Sequence, residues 1–400
     1  MSTPALRTVK RLRPFAHTIF AEMTALATTH DAVNLGQGFP DTDGPAGMLE
    51  AARKAIASGL NQYPPGPGMP VLRQAVARDR AARFGTEYDP GSEILVTVGA
   101  TEAVSAAMLG LVEPGSEVVL IEPYYDSYAA AVALAGGIRK SVPLVADGDG
   151  FALDLDALRA AVTPATRMIV VNSPHNPTGT VFTDAELEAV ADVARERDLL
   201  VLTDEVYEHL VFDGGHHTPI ATLPGMFERT VTVSSAAKTF NATGWKTGWA
   251  CGPAPLIDAV RTAKQFMSFV GAAPFQPAVA YALDNEQQWV LDLRDSLQRK
   301  RDTLAAALRH AGFGVKKSQG TYFVCADIAP LGFDDADSFC RALPERIGVV
   351  GVPVDAFVDH PEHWKTLVRF AFCKQDDVLA EAATRLTALR STALRSTASG

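Results

Sequence analysis

The stretch Leu199-Leu200-Val201-Leu202-Thr203-Asp204-Glu205-Val206-Tyr207 opens with four large aliphatic residues and a threonine, then stops on a carboxylate. A strand with one wet face alternates apolar and polar side chains, so this unbroken run reads as a strand covered on both faces, as in a parallel sheet. Ile94 to Val98, Glu117 to Ile121, Arg167 to Val171 and Thr230 to Val233 read the same way, and helical patterns at Thr101 to Val112, Asp126 to Ala135 and Thr183 to Arg197 lie between them. This alternation predicts βαβ units, with right-handed crossovers and helices on both sheet faces. The expected class is α/β with a mainly parallel sheet.

After Gly271 the pattern changes. A long helical region from Pro274 to about Ala311 precedes short strands near Thr321 to Cys325 and Leu367 to Phe372, with helices around Asp335 to Leu343 and Asp376 to Leu389. This predicts a smaller α+β domain. Residues 1–35, with a helix near Phe15 to Ala27, have no partner strand of their own and are expected to pack on that domain. The expected division is a large domain over 40–285, a small domain built from 1–39 and 286–390, and a flexible tail over 391–400. Around that tail Ala388-Leu389-Arg390-Ser391-Thr392 recurs as Ala393-Leu394-Arg395-Ser396-Thr397.

With 400 residues, 47% of them hydrophobic, the chain can bury a substantial core. Its 46 acidic against 36 basic residues give a formal charge of -10, and no basic stripe with interleaved aromatics recurs, which argues against a nucleic-acid partner. The basic cluster Arg7, Lys10, Arg11, Arg13 reads as a solvated arm, because no apolar stretch follows it as in a signal peptide. No apolar run approaches the ~18 residues of a membrane span, so no membrane partner is expected. Cys251, Cys325, Cys340 and Cys373 are widely spaced, without a CxxC or Cys/His cluster. That spacing argues against a metal site or a disulfide framework and for a reducing cytoplasm.

Ligands of open parallel sheets bind beyond the carboxyl ends of the strands. Gly99-Ala100-Thr101 follow the run ending at Val98 and open a helix, offering free backbone N–H groups and a positive dipole end to a phosphate. After Val171 comes Asn172-Ser173-Pro174-His175-Asn176-Pro177-Thr178-Gly179, a loop stiffened by two prolines that can present an asparagine amide at a fixed position. His175 within it reads as a loop hydrogen bonder rather than a catalyst. Asp204 stands at the edge of the core and requires a positive partner, because a buried carboxylate is costly without one. A pyridinium nitrogen would serve, and Tyr207 could reach an oxygen on the same ring. Tyr125 could stack on the face of such a ring, or simply pack in the core.

Ser234-Ser235-Ala236-Ala237-Lys238 sets a lysine among small residues directly after an apolar strand. A surface lysine keeps polar neighbours, whereas one that forms an imine with a carbonyl cofactor needs desolvation and slender neighbours. Lys238 is therefore the candidate nucleophile, the alternative being a lysine that snorkels from a strand end. Gly99, Ala100 and Thr101, with Ser235 and Lys246, would hold a phosphate.

Asn176-Pro177-Thr178-Gly179, Asp204-Glu205-Val206-Tyr207 and Ser235-x-x-Lys238 occur in family order in a chain that resembles the class I/II aminotransferases of pyridoxal-phosphate fold type I. The likeness runs from Asn34-Leu35-Gly36-Gln37-Gly38-Phe39-Pro40 to Arg369. It implies a seven-stranded, mainly parallel sheet in the large domain, pyridoxal 5'-phosphate as cofactor, amino-acid and 2-oxo-acid substrates, a ping-pong reaction and a homodimer. It further implies that Lys238 is the Schiff-base lysine, that Asp204 partners the pyridine nitrogen, and that Tyr207 and Asn176 serve the ring hydroxyl oxygen. Ala100, Thr101, Ser235 and Lys246 would bind the phosphate, with Tyr63 reaching in from the other subunit. Arg369 would grip the substrate α-carboxylate, aided by the Gly36 backbone and Asn176.

Within the family, Gln62-Tyr63-Pro64-Pro65-Gly66-Pro67-Gly68 and Gly244-Trp245-Lys246 are similar to the branch of kynurenine, glutamine and methionine aminotransferases. Ser173-Pro174-His175-Asn176 and Gly271-Ala272-Ala273-Pro274-Phe275-Gln276 are most similar to actinobacterial N-succinyldiaminopimelate aminotransferases. The small Gly271 and Ala272 are expected to enlarge the pocket for a long succinylated side chain. The alternatives are a broad kynurenine, glutamine or methionine enzyme, a cysteine-conjugate β-lyase on the same fold, and a cofactor-binding regulator without turnover.

Overall fold

The computed structural model describes residues 8–389, so Arg7 and the expected tail over 391–400 lie outside the described residues. Among these, β1 (Ile94–Val98), β2 (Glu117–Glu122), β3 (Ile138–Asp147), β4 (Gly150–Leu153), β5 (Thr166–Asn172), β6 (Leu200–Asp204), β7 (Thr230–Ser235) and β8 (Thr247–Cys251) form one sheet. The strand order is β1-β8-β7-β6-β5-β2-β3-β4. The four pairings from β7 through β6, β5 and β2 to β3 are parallel, which makes the sheet mainly parallel as expected. It carries eight strands rather than seven because β4 folds back on β3 as a hairpin, pairing Asp147 with Gly150. β3, one strand in from the edge strand β4, carries Arg139, Lys140 and Ser141 and mostly exposed ends, and it lacks the continuous apolar run of its neighbours.

The direction of the strands places the site. β8 runs against β7, and β1 runs against β8. Two reversals leave β1 pointing the same way as β7, so the carboxyl ends of β1, β5, β6 and β7 open along one edge. Alternation then assigns the two faces of the sheet. Met168, Val170, Leu200, Leu202, Val231 and Val233 pack with Ala103, Val104 and Ala107 of helix α1 (Gly99–Leu111) and Tyr128 and Val132 of α2 (Asp126–Ala135). Ile169, Val171, Leu199 and Val201 face the other way, onto Leu187, Val190 and Ala194 of α3 (Asp184–Glu196). That helix starts with a capping box between Thr183 and Glu186. Each such aliphatic side chain, fully buried, stabilises the fold by about 1.5–3 kcal/mol.

A second, antiparallel sheet contains β9 (Gly314–Val315), β10 (Phe323–Asp327), β11 (Val352–Pro353) and β12 (Leu367–Ala371) in the order β9-β10-β12-β11. Val368 and Phe370 of β12 join an apolar cluster that includes Met23 and Ala27 of the helix Ile19–Thr29 and also Leu35. The N-terminal segment does have a strand partner, contrary to expectation: Val33–Asn34 pairs in parallel with Val349–Val350. A two-residue strand is too short to leave a period in the sequence. The long helical region after Gly271 divides into Gln276–Asn285 and Gln287–Ala311. All four cysteines are unpaired and buried, and no helix of the described residues is long and apolar enough to cross a membrane.

Gly248 of β8 shows how tightly the sheet meets α1. A Cβ there would lie 2.6 Å from the Gly99 carbonyl carbon and 2.8 Å from the Ala100 nitrogen. Gly248→Ala is expected to cost about 1–3 kcal/mol in urea unfolding, because the start of α1 has to move. Gly66→Ala, where a Cβ meets nothing within 4 Å, should stay within about 0.5 kcal/mol of the parent.

Candidate active site

At the shared strand edge lies a cavity of about 310 Å³. Eleven sequence-predicted residues line it: Gly99, Ala100, Thr101, Tyr125, Asn176, Asp204, Tyr207, Ser235, Lys238, Lys246 and Arg369. Gly36 is joined to it by its carbonyl, which accepts a 2.8 Å bond from Arg369 Nη2. Tyr63 is elsewhere: it is 82% exposed and sits edge-on to Phe269, with ring centroids 5.6 Å apart.

At one end of the cavity α1 begins, and the first N–H groups of a helix have no partners within it. Gly99 adopts φ +75°, and a Cβ on it would lie 3.3 Å from Lys246 Nζ. Lys246 itself is held at φ +51°, after a tight turn over Thr243–Trp245. An ammonium and a helix start thus meet on one spot of a cavity that Ser235 also lines, which is the chemistry of an anion site.

Asp204 ends β6 and is buried. Its carboxylate accepts from Tyr128 Oη at 2.7 Å and from the Val206 N–H at 3.3 Å, with no ion-pair partner among the described residues. Burial pushes its carboxyl above the usual range, against the opposing effect of those bonds and of Lys238. Lys238 follows β7 on a single helical turn, Ala236–Thr239. Desolvation lowers its ammonium pKa to about 8, and Nζ lies 5.5 Å from the Tyr322 ring centroid and 5.9 Å from that of Tyr207.

Arg369 occupies the middle of β12, opposite Cys325 on one side and Val352 on the other. Its guanidinium lies 4.1 Å from the ring centroid of Phe323, 5.2 Å from Phe20 and 5.3 Å from Phe357. Nη1 donates to Asn176 Oδ1 at 3.1 Å and Nη2 to the Gly36 carbonyl, but buried Nε has no partner. Among the described residues no carboxylate pairs with it. The arrangement therefore asks for an anion at Arg369, a second anion at the start of α1, a protonated nitrogen against Asp204 and a carbonyl within reach of Lys238.

Sequence reasoning missed Tyr128, although its position three residues after Tyr125 puts both on one face of a helix. It named Asn172 only within a loop. That residue ties the strand end together: Nδ2 donates to the Asp204 carbonyl at 2.8 Å, and Oδ1 accepts from the Asn176 N–H at 2.8 Å. His175 is a buried hydrogen bonder, as expected, with Nδ1 2.8 Å from Thr178 Oγ1. Its pKa is lowered by burial to about 3. Gly271 and Ala272 do not line the cavity. A Cβ at Gly271 would stand 2.6 Å from Val98 Cγ2, so close packing inside this chain accounts for that glycine.

The family model for "Aminotransferase class I and II" matches residues 30–386. A probable N-succinyldiaminopimelate aminotransferase of Mycobacterium tuberculosis is 62% identical over 390 residues, covering 96% of this chain and 98% of the relative. The methionine aminotransferase of Escherichia coli is 39% identical, covering 95% of this chain and 97% of the relative. The solved structure of N-succinyldiaminopimelate aminotransferase from Mycobacterium tuberculosis superposes with a TM-score of 0.94 at 64% identity, covering 96% of this chain and 100% of that one. The chain belongs to the class I and II aminotransferases, a family of pyridoxal-phosphate-dependent transaminases.

The lowered pKa of Lys238 has a consequence for the cofactor-free protein. Below pH 8 the folded state has to hold an ammonium in a desolvated place. Between pH 8 and 10.5 it releases that proton while the unfolded chain keeps it, so stability rises with pH across this window. Lys238→Met should accordingly be more stable than the parent at pH 7, with a margin that shrinks from pH 8 to 10.5 in urea unfolding.

Proposed function

We propose that the cavity seats pyridoxal phosphate and that the enzyme moves an amino group between N-succinyl-LL-2,6-diaminopimelate and 2-oxoglutarate. The observation that carries the cofactor reading is the set of unanswered groups: buried Asp204 without a cation, a desolvated Lys238 amine and an ammonium poised over the start of α1. These residues fit the group. Ala100, Thr101, Ser235 and Lys246 would take its phosphate, Asp204 its ring nitrogen, Tyr207 and Asn176 its ring hydroxyl oxygen, and Tyr125 one ring face. When bound, the cofactor supplies an aldehyde carbon and an electron-withdrawing ring.

The protein's own part follows from its geometry. Arg369 offers a bidentate guanidinium to the substrate α-carboxylate, and its orphaned Nε is the donor that this carboxylate would satisfy. Asn176 spends its amide oxygen on Arg369 and keeps its amide N–H groups for the cavity. Asp204 holds a proton at the ring nitrogen, with Tyr128 fixing its orientation. Lys238, with a pKa near working pH, can take a proton from the substrate Cα and return it.

The choice of donor is supported by 62% identity over nearly the whole chain to the Mycobacterium tuberculosis relative, against 39% to the methionine enzyme. A homodimer is supported by exposed apolar side chains: Tyr63 and Phe269 stand against each other in solvent, and Phe266 is 83% exposed, with Leu60, Val71 and Met267 exposed as well. In that dimer Tyr63 would reach the partner's phosphate site. Sedimentation should give twice the chain mass.

Lys238→Ala should bind pyridoxal phosphate yet lose kcat by roughly 10³-fold or more, whereas retained transamination would remove the assignment. Arg369→Ala should lower kcat/KM by on the order of 10²-fold or more, because it removes the partner of a desolvated carboxylate. A donor series of N-succinyldiaminopimelate, kynurenine, methionine, glutamine and phenylalanine should give its highest kcat/KM with the first. Pyruvate and ammonia release from cysteine conjugates would instead favour the lyase.

A further inference from the structure

Beside the cavity, but not lining it, lies a buried charge cluster that the chemistry above leaves unused. Arg80, on the helix Pro70–Phe84, is 1% exposed and bonds Glu205 Oε2 at 2.8 Å through Nη2 and Glu208 through Nη1. Glu205 also lies 3.2 Å from His217 Nε2, and Glu208 accepts from Ser234 Oγ at 2.8 Å. Burial pushes both carboxyls up. Arg80 and His217 nonetheless hold Glu205 below the usual range, while Glu208 stays above it. One guanidinium thus faces two carboxylates that a shared, fully buried setting pushes in opposite directions. The two glutamates and His217 have ligand atoms within 4.8 Å of one another, and Arg80 already supplies the positive charge such a group requires.

The position of this cluster matters more than its charge. The backbone ladder between β6 and β7 ends at the pair Asp204 and Val233, after which the Glu205 N–H still donates to the Val233 carbonyl at 2.8 Å. Ser234 and Ser235 continue β7 but pair only with β8. The Glu208–Ser234 bond therefore resumes the tie between the two strand ends where the ladder stops, and Arg80 clamps Glu208 to Glu205. Glu205 adjoins Asp204 in the chain, and Ser234 adjoins Ser235. Those outer neighbours are the proposed holders of the two ends of the cofactor, its ring nitrogen and its phosphate.

We propose that Arg80 is a positioning residue: through Glu205 and Glu208 it sets the spacing between Asp204 and Ser235, and hence the seat of the cofactor. The inference rests on the proposed function. A buried ion pair can often be replaced by neutral groups without loss of stability, which allows a structural role to be separated from a positioning one. Arg80→Met combined with Glu205→Gln removes the cation and its ion-pair partner together, and Ser234→Ala cuts the tie without altering any charge.

For each variant, urea unfolding of the cofactor-free protein, absorbance titration with pyridoxal phosphate, and separate kcat and KM are measured. The expected result is a urea midpoint close to that of the parent, at least fivefold weaker pyridoxal phosphate binding, a shifted visible band of the bound cofactor, and a lower kcat at nearly constant KM. Folded variants with parental affinity and kcat would overturn the inference. If the double variant does not fold, Ser234→Ala decides alone. A wild-type chain that fails to bind pyridoxal phosphate overturns the proposed function along with this inference, whereas wild-type binding with unchanged variants overturns this inference alone.

Discussion

Arg369 is a full positive charge in the middle of a β-strand, roofed by aromatic rings and answered by an amide oxygen and a backbone carbonyl instead of a carboxylate. Burying an unpaired ion costs several kcal/mol, a large fraction of the stability of a typical domain. Desolvation lowers its pKa without removing the charge. A fold can tolerate that cost only when the surrounding core is large, and here β12 is supported by the packing of Val368 and Phe370 with the N-terminal helix and Leu35. The second sheet and the N-terminal segment together hold this guanidinium at the mouth of a cavity built by the first sheet.

Across the cavity the same physics acts on two groups of opposite sign. Burial raises the Asp204 carboxyl and lowers the Lys238 ammonium, so each is pushed toward its neutral form. An ion pair between them would have relieved both. The protein instead gives Asp204 a phenol and a backbone N–H, and leaves Lys238 near aromatic faces. Both groups therefore keep their capacity for an incoming partner, which an internal salt bridge would have consumed.

Much of this was legible in the chain because strand ends are legible. An apolar run stopping on Asp204, another leading into Ser235 and Lys238, and a third opening into Gly99 each mark where the core meets the ligand edge, and the parallel topology brings those marks together. Tyr128 and Asn172 were harder to see, since their roles consist of bonds to Asp204 that exist only after folding. β3 was hidden by its polar, exposed ends, and Val33–Asn34 by its length. Gly271 misled in a different way: a small residue reads as space for a ligand, yet here it makes room for Val98. The pocket argument from that glycine fails inside this chain, and the donor assignment leans on overall likeness.

Two arginines in this protein are about equally buried, and they differ in one respect. Arg80 meets Glu205 and Glu208, so its charge is spent within the fold. Arg369 meets no carboxylate among the described residues, and although Nε is without an acceptor in both arginines, only Arg369 faces the cavity. Burial alone would have marked both as structural, and charge alone would have marked both as functional. The balance of partners separates them: a buried ion that the protein satisfies can brace a site, whereas one that it leaves unsatisfied marks where a ligand of opposite charge belongs.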